Sequence, residues 1–69
     1  MNKAEQKIYE ILGFYEPDIN NDRKYDYLTE NVARNGREVL WYMDESHNVA
    51  IYVDTLEQLT DEEIEKELV

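Results

Sequence analysis

The stretch from Arg37 to Thr55, REVLWYMDESHNVAIYVDT, limits the choice of fold more than any other part of the chain. Two runs rich in β-branched and aromatic residues flank a polar connection, which is the pattern of a β-hairpin. Alternation along a strand puts Val39, Trp41 and Met43 on one face of the first run and Leu40 and Tyr42 on the other. On the second run Val49, Ile51 and Val53 share a face, opposite Ala50, Tyr52 and Asp54. A three-residue turn, Ser46-His47-Asn48, with Asn48 in the left-handed region, would set Glu45 opposite Val49, Met43 opposite Ile51 and Trp41 opposite Val53. That register predicts one continuous apolar face of Val39, Trp41, Met43, Val49, Ile51 and Val53. The second face then carries Leu40, Ala50 and a directly opposed pair, Tyr42 and Tyr52, with Glu38, Asp44 and Asp54 around them.

The flanking segments supply cover. Asn2 to Glu5 has the form of an N-cap with a capping-box glutamate, Ala4, Ile8, Ile11 and Leu12 recur at helical spacing, and Gly13 is a natural stop, so a helix is expected over 3–12. Thr60-Asp61-Glu62-Glu63 is a second capping box, with Leu59 and Ile64 as a hydrophobic staple and Ile64 and Leu68 facing inward. Leu56 and Leu59 anchor the link from the hairpin. Residues 16–22 form a loop, since Pro17 disfavours helix before it and the Asp and Asn residues favour turns. Residues 23–35 fit two descriptions. Tyr25, Leu28 and Val32 lie on one helical face, with Asp22 to cap and Asn35-Gly36 to stop it. Alternatively Asn35-Gly36 is a two-residue hairpin turn that pairs Val32 with Val39 and Leu28 with Met43. Helix is the first reading. The expectation is therefore a small single α+β domain over 1–69, its helices packed on one face of an antiparallel hairpin or three-stranded meander. The order would be α-α-β-β-α, with α-β-β-β-α as runner-up.

Charge narrows the function. The 69 residues hold 17 Asp and Glu against 7 Lys and Arg, and the excess is lopsided. Residues 1–37 carry seven acids and six bases, net −1; residues 38–69 carry ten acids and one base, Lys66, net −9. Repulsion disfavours direct contact with nucleic acid or an anionic membrane and favours a basic protein partner. No cysteine is present, and no apolar run is long enough for a membrane span or a leader, so a cytoplasmic setting is expected.

The parts of a chemical site are missing. His47 is the sole histidine and falls in a turn; without Cys or a second His it cannot build a zinc site. Gly13 and Gly36 are too far apart for a phosphate loop. Asp18, Asn20 and Asp22, with Asp26 at the ninth position, resemble the start of an EF-hand calcium loop. Arg23 stands where that loop needs glycine and Thr29 where it needs the bidentate glutamate, so no calcium site is expected. Neither enzymatic activity nor a cofactor is expected.

Size and charge together resemble the small acidic antagonists carried by phages and mobile elements, some of which mimic the phosphate charge of nucleic acid. No motif is shared with them. The expectation is a non-enzymatic protein-binding domain that blocks a basic, nucleic-acid-binding protein. Its charged face would comprise Asp44, Glu45, Asp54, Glu57, Asp61, Glu62, Glu65 and Glu67. The alternative is a small accessory or self-assembling domain, a homodimer included, that uses Tyr42, Tyr52 and Trp41 as an apolar interface.

Overall fold

A computed structural model describes residues 3–15 and 27–69. The described elements run α1 (Lys3–Leu12), β1 (Leu28–Val32), β2 (Glu38–Met43), β3 (Asn48–Tyr52) and α2 (Asp61–Glu67). The strands form one antiparallel sheet in the order β1-β2-β3. This is a small α+β arrangement of two helices and a three-stranded sheet. The helix expected over 23–35 is corrected at Leu28–Val32, which is strand; residues 23–26 lie outside the described residues, as do Asn2 and the EF-hand-like positions Asp18 to Asp26.

The turn between β1 and β2 decides this. Gly36 has φ +90, and its amide donates to Ala33 O (2.8 Å) while the Ala33 amide donates to Arg37 O (2.9 Å). Arg34-Asn35-Gly36 is thus a three-residue connection whose last position needs the left-handed backbone that glycine provides. The extra residue, compared with a two-residue Asn-Gly turn, moves the register by one. Val32 faces Glu38, Glu30 faces Leu40 and Leu28 faces Tyr42.

The β2–β3 register also differs from the expected one. Met43 pairs with Asn48, Trp41 with Ala50 and Val39 with Tyr52. The connection is Asp44 to His47, closed by the Asp44 amide on His47 O (2.9 Å). Asp44 causes this: its Oδ1 accepts from the amides of Ser46 and His47, both at 2.7 Å, and so holds a four-residue turn over 44–47 in place of the three-residue turn ending at Asn48. The shift is an odd number of residues, so the faces recombine. Leu40, Tyr42, Val49 and Ile51 now share one face, and Val39, Trp41, Ala50 and Tyr52 share the other.

Both faces are apolar, and both are covered. Ala4 and Ile8 of α1 pack on the first face, with Leu12, Phe14, Tyr27, Leu28 and Leu56 around them. Leu59 and Ile64, with Leu68, pack on the second together with Ala33. The expectation that the helices share one face is therefore corrected: the sheet lies between α1 and α2. The cause is the sequence itself, since a hairpin with two apolar faces exposes one of them unless each is covered. Full burial of a side chain such as Ile8 or Ile64 contributes about 1.5–3 kcal/mol.

The link from β3 to α2 passes from one face to the other. Leu56, at φ 65, packs with the first cluster, whereas Leu59 lies in the second. A leucine in the left-handed region costs about 1–2 kcal/mol, which its apolar contacts offset. Along the way the link bonds to the outer edge of β3: the Tyr52 amide donates to Glu57 O (2.9 Å) and the Leu59 amide to Ala50 O (2.9 Å). Both helix ends follow the sequence. Gly13 (φ +83) ends α1 by donating to Tyr9 O (2.9 Å). Thr60 Oγ1 accepts from the Glu63 amide (3.1 Å) and Glu63 Oε1 from the Thr60 amide (3.0 Å).

Candidate functional site

The fold sorts the residues expected to bind a partner into three groups. The tyrosines are structural. Tyr42 is 0% exposed and Tyr52 5%, and they lie on opposite faces of the sheet, not side by side. The Tyr42 ring meets Phe14 and Tyr27, and the Tyr52 hydroxyl accepts from Asn35 Nδ2 (2.9 Å). An aromatic interface built on this pair has no exposed ring to offer. Trp41 is only half-buried, and its Nε1 donates to Asn48 Oδ1 (2.6 Å).

Three of the acids are committed to the fold. Asp44 accepts from the Tyr42 hydroxyl (3.1 Å) as well as the two turn amides, and His47 Nδ1 lies 3.0 Å from its Oδ1. A carboxylate only accepts, so Nδ1 carries the hydrogen. Partial burial raises the Asp44 pKa, but the bonds from the Ser46 amide, the His47 ring and amide and the Tyr42 hydroxyl outweigh it and hold the carboxyl below its ordinary value. Asp54 Oδ1 accepts from Arg37 Nη2 (2.8 Å), and that shared bond lowers the Asp54 pKa and raises that of Arg37. Arg37 also stacks 3.7 Å over the Tyr52 ring. Glu67 accepts from the Asn35 amide (3.0 Å), beside Arg34, whose guanidinium donates to the carbonyls of Lys66 and Val69. The β1–β2 turn thereby caps the C-terminal end of α2.

The remaining acids are exposed: Glu45, Glu57, Asp61, Glu62 and Glu65. Glu45 sits at the β2–β3 turn, at the end of the hairpin away from Glu57, so the structure does not join it to the rest. Asp61, Glu62 and Glu65 share α2 at spacings of three and four residues, which makes them neighbours on the helix surface. None of these three makes an ion pair with another described residue. The helix carries five acids against Lys66. Over its length of about 10 Å this is one net negative charge per roughly 2.6 Å, against about 1.7 Å for duplex DNA.

One surface was not foreseen. Val32, Glu38 and Val53 form a row across the end of the sheet on the α1 side, beyond the reach of α1. Val32 is 69% exposed and Val53 40%. With Glu30, Asn31 and Leu40 they line a shallow groove. No local sequence signal marks it, because the row exists only in the observed registers.

Among the described residues no group of three or more His, Cys, Asp or Glu could hold a metal ion, and no helix is long and apolar enough to cross a membrane. Comparison with protein-family models, with curated proteins and with solved structures gave no match. The chain is thus characterised by its own features, a small α+β domain with a concentrated negative surface.

Proposed function

We propose that this chain is a non-enzymatic binding domain, acting in the cytoplasm, whose acidic α2 surface occupies the basic groove of a nucleic-acid-binding protein. The observation that carries the reading is the line of exposed carboxylates Asp61, Glu62 and Glu65, with Glu57 in the preceding link, none of them in an ion pair with a described residue. A charge density of the same order as that of a duplex lets such a helix stand in for phosphates. Each exposed carboxylate contributes about 1 kcal/mol or less alone, so the effect is collective. It acts through the summed field on encounter and register. Some of the small acidic antagonists of phages and mobile elements, which the chain resembles in size and charge, use this device.

The test is affinity capture from the source cell at low and high salt, comparing wild type with a Glu57→Gln, Glu62→Gln, Glu65→Gln variant. Among the described residues none bonds to the carboxylates of these three side chains, so the fold should persist. The expected result is a basic nucleic-acid-binding protein, held at low salt, released at high salt and lost from the variant. A partner that is indifferent to both changes would contradict the reading.

A further inference from the structure

We propose that the outer edge of β1, with the open groove beside it, docks an extended segment of a protein partner as an added strand, one in which basic and apolar residues alternate. The proposal rests on the reading of a basic partner but uses a surface separate from α2.

Backbone geometry is the first support. Among the described residues β1 is an outermost strand of the sheet. The Ala33 amide bonds to Arg37 O and the Met43 amide to Tyr27 O, so residues 27, 29, 31 and 33 turn their backbone groups toward β2. Glu30 and Val32 therefore aim their N–H and C=O groups outward. The other outer edge, that of β3, is closed by the Glu57 to Leu59 segment. Among the described residues nothing pairs with Glu30 and Val32 on this edge or covers the groove beside it, and an edge next to exposed sheet surface is the geometry that accepts an added strand.

Side chains define the occupant. Those of Glu30 and Val32 point to the groove face, because they alternate with Thr29 and Asn31. A strand paired with β1 would set one of its own side chains beside Val32, over the shelf that continues to Val53, and another beside Glu30. Glu38 lies one strand further in, between Val32 and Val53. Neither Glu30 nor Glu38 is in an ion pair with a described residue. An apolar residue next to a lysine or arginine matches this surface in shape and charge. A second copy does not: each chain carries −10, and edge-to-edge pairing would bring the Glu30 carboxylates of two copies together.

The probe is a capped peptide of alternating lysine and valine, titrated into the isotope-labelled full chain while backbone amide shifts and amide exchange are followed. Peptides of alternating glutamate and valine, and of lysine with glycine, serve as controls. The lysine-valine peptide is expected to shift Glu30, Val32, Glu38 and Val53 and to slow exchange at Glu30 and Val32; the controls should shift them roughly tenfold less at equal concentration. Val32→Pro removes one outward N–H and leaves the ladder to β2 intact, so it should abolish the slowing. Glu30→Lys, at an exposed position, should weaken binding roughly tenfold should the proline variant fail to fold. Shifts confined to Asp61, Glu62 and Glu65 would overturn the edge site while leaving the acidic-helix reading intact. Absence of any shift, equal response to the glutamate-valine peptide, or concentration-dependent pairing of the chain with itself through β1 would also overturn it.

Discussion

Asp44→Ala should remove much of the stability of the fold. The carboxylate is the acceptor for four donors: two turn amides at 2.7 Å, His47 Nδ1 at 3.0 Å and the Tyr42 hydroxyl at 3.1 Å. The amides of Ser46 and His47 can turn to water in the variant, so each forfeits about 1 kcal/mol. The Tyr42 side chain is fully buried, and its bond to a charged acceptor is worth about 1.5–3 kcal/mol. Together these come to about 3.5–5 kcal/mol, against a total of about 3.5–10 kcal/mol for a domain of this size. A fall of roughly 15–30 °C in melting temperature follows, read by circular dichroism. Asp44→Asn keeps an oxygen for the turn amides and should lose less than half as much. The pH dependence has a definite sign. The folded-state pKa of Asp44 lies below its ordinary value, so its contribution is present above the unfolded pKa and is lost as pH falls through the folded one. A loss below about 1 kcal/mol in Asp44→Ala, with no acid-side dependence removed, would refute the role of Asp44 in setting the turn and hence the hairpin register.

The two helices stabilise different faces, so Ile8→Val and Ile64→Val should each cost about 0.5–1.5 kcal/mol. In combination they should add to within about 0.5 kcal/mol; a larger coupling in urea denaturation would mean one shared core. Thr60→Ala should cost about 1 kcal/mol through the lost capping box, and Arg34→Ala a similar amount through the lost bonds to Lys66 and Val69 carbonyls. Millimolar Ca²⁺ should leave the melting temperature unchanged, given Arg23 and Thr29 at the positions where an EF-hand loop needs glycine and glutamate.

Much of the fold could be read directly. Both helices were legible because caps and periodicity are local: Gly13 ends α1, and Thr60 with Glu63 starts α2. The strand registers were not, for a physical reason. Register is pinned when one face is buried and the other polar, but here Leu40 and Tyr42 need cover as much as Val39 and Trp41 do. Burial alone therefore allows several slips. The choice fell to turn chemistry, where the Asp44 side chain prevailed over the left-handed preference of Asn48, and a bulge at Gly36 over a two-residue turn. Strand β1 was obscured because Thr29, Glu30 and Val32 belong to an exposed edge and show no alternation. The candidate surface inherited these errors. Tyr42 and Tyr52 were paired on one face by a register that the structure does not adopt, and the row of Val32, Glu38 and Val53 could not be seen without the right one. The exposure of Asp61, Glu62 and Glu65 was legible because it follows from helical spacing alone, whereas the bond of Glu67 to the Asn35 amide depends on the β1–β2 turn.

The most direct test of the central claim, that the α2 carboxylates engage a basic partner as phosphates would, is the salt dependence of the dissociation constant for the captured complex. Binding is expected to weaken at least roughly tenfold between about 0.05 and 0.2 M salt, to lose most of that dependence in the Glu57→Gln, Glu62→Gln, Glu65→Gln variant, and to be displaced by duplex DNA. A dissociation constant that is flat with salt, and equal in the variant, would contradict the claim.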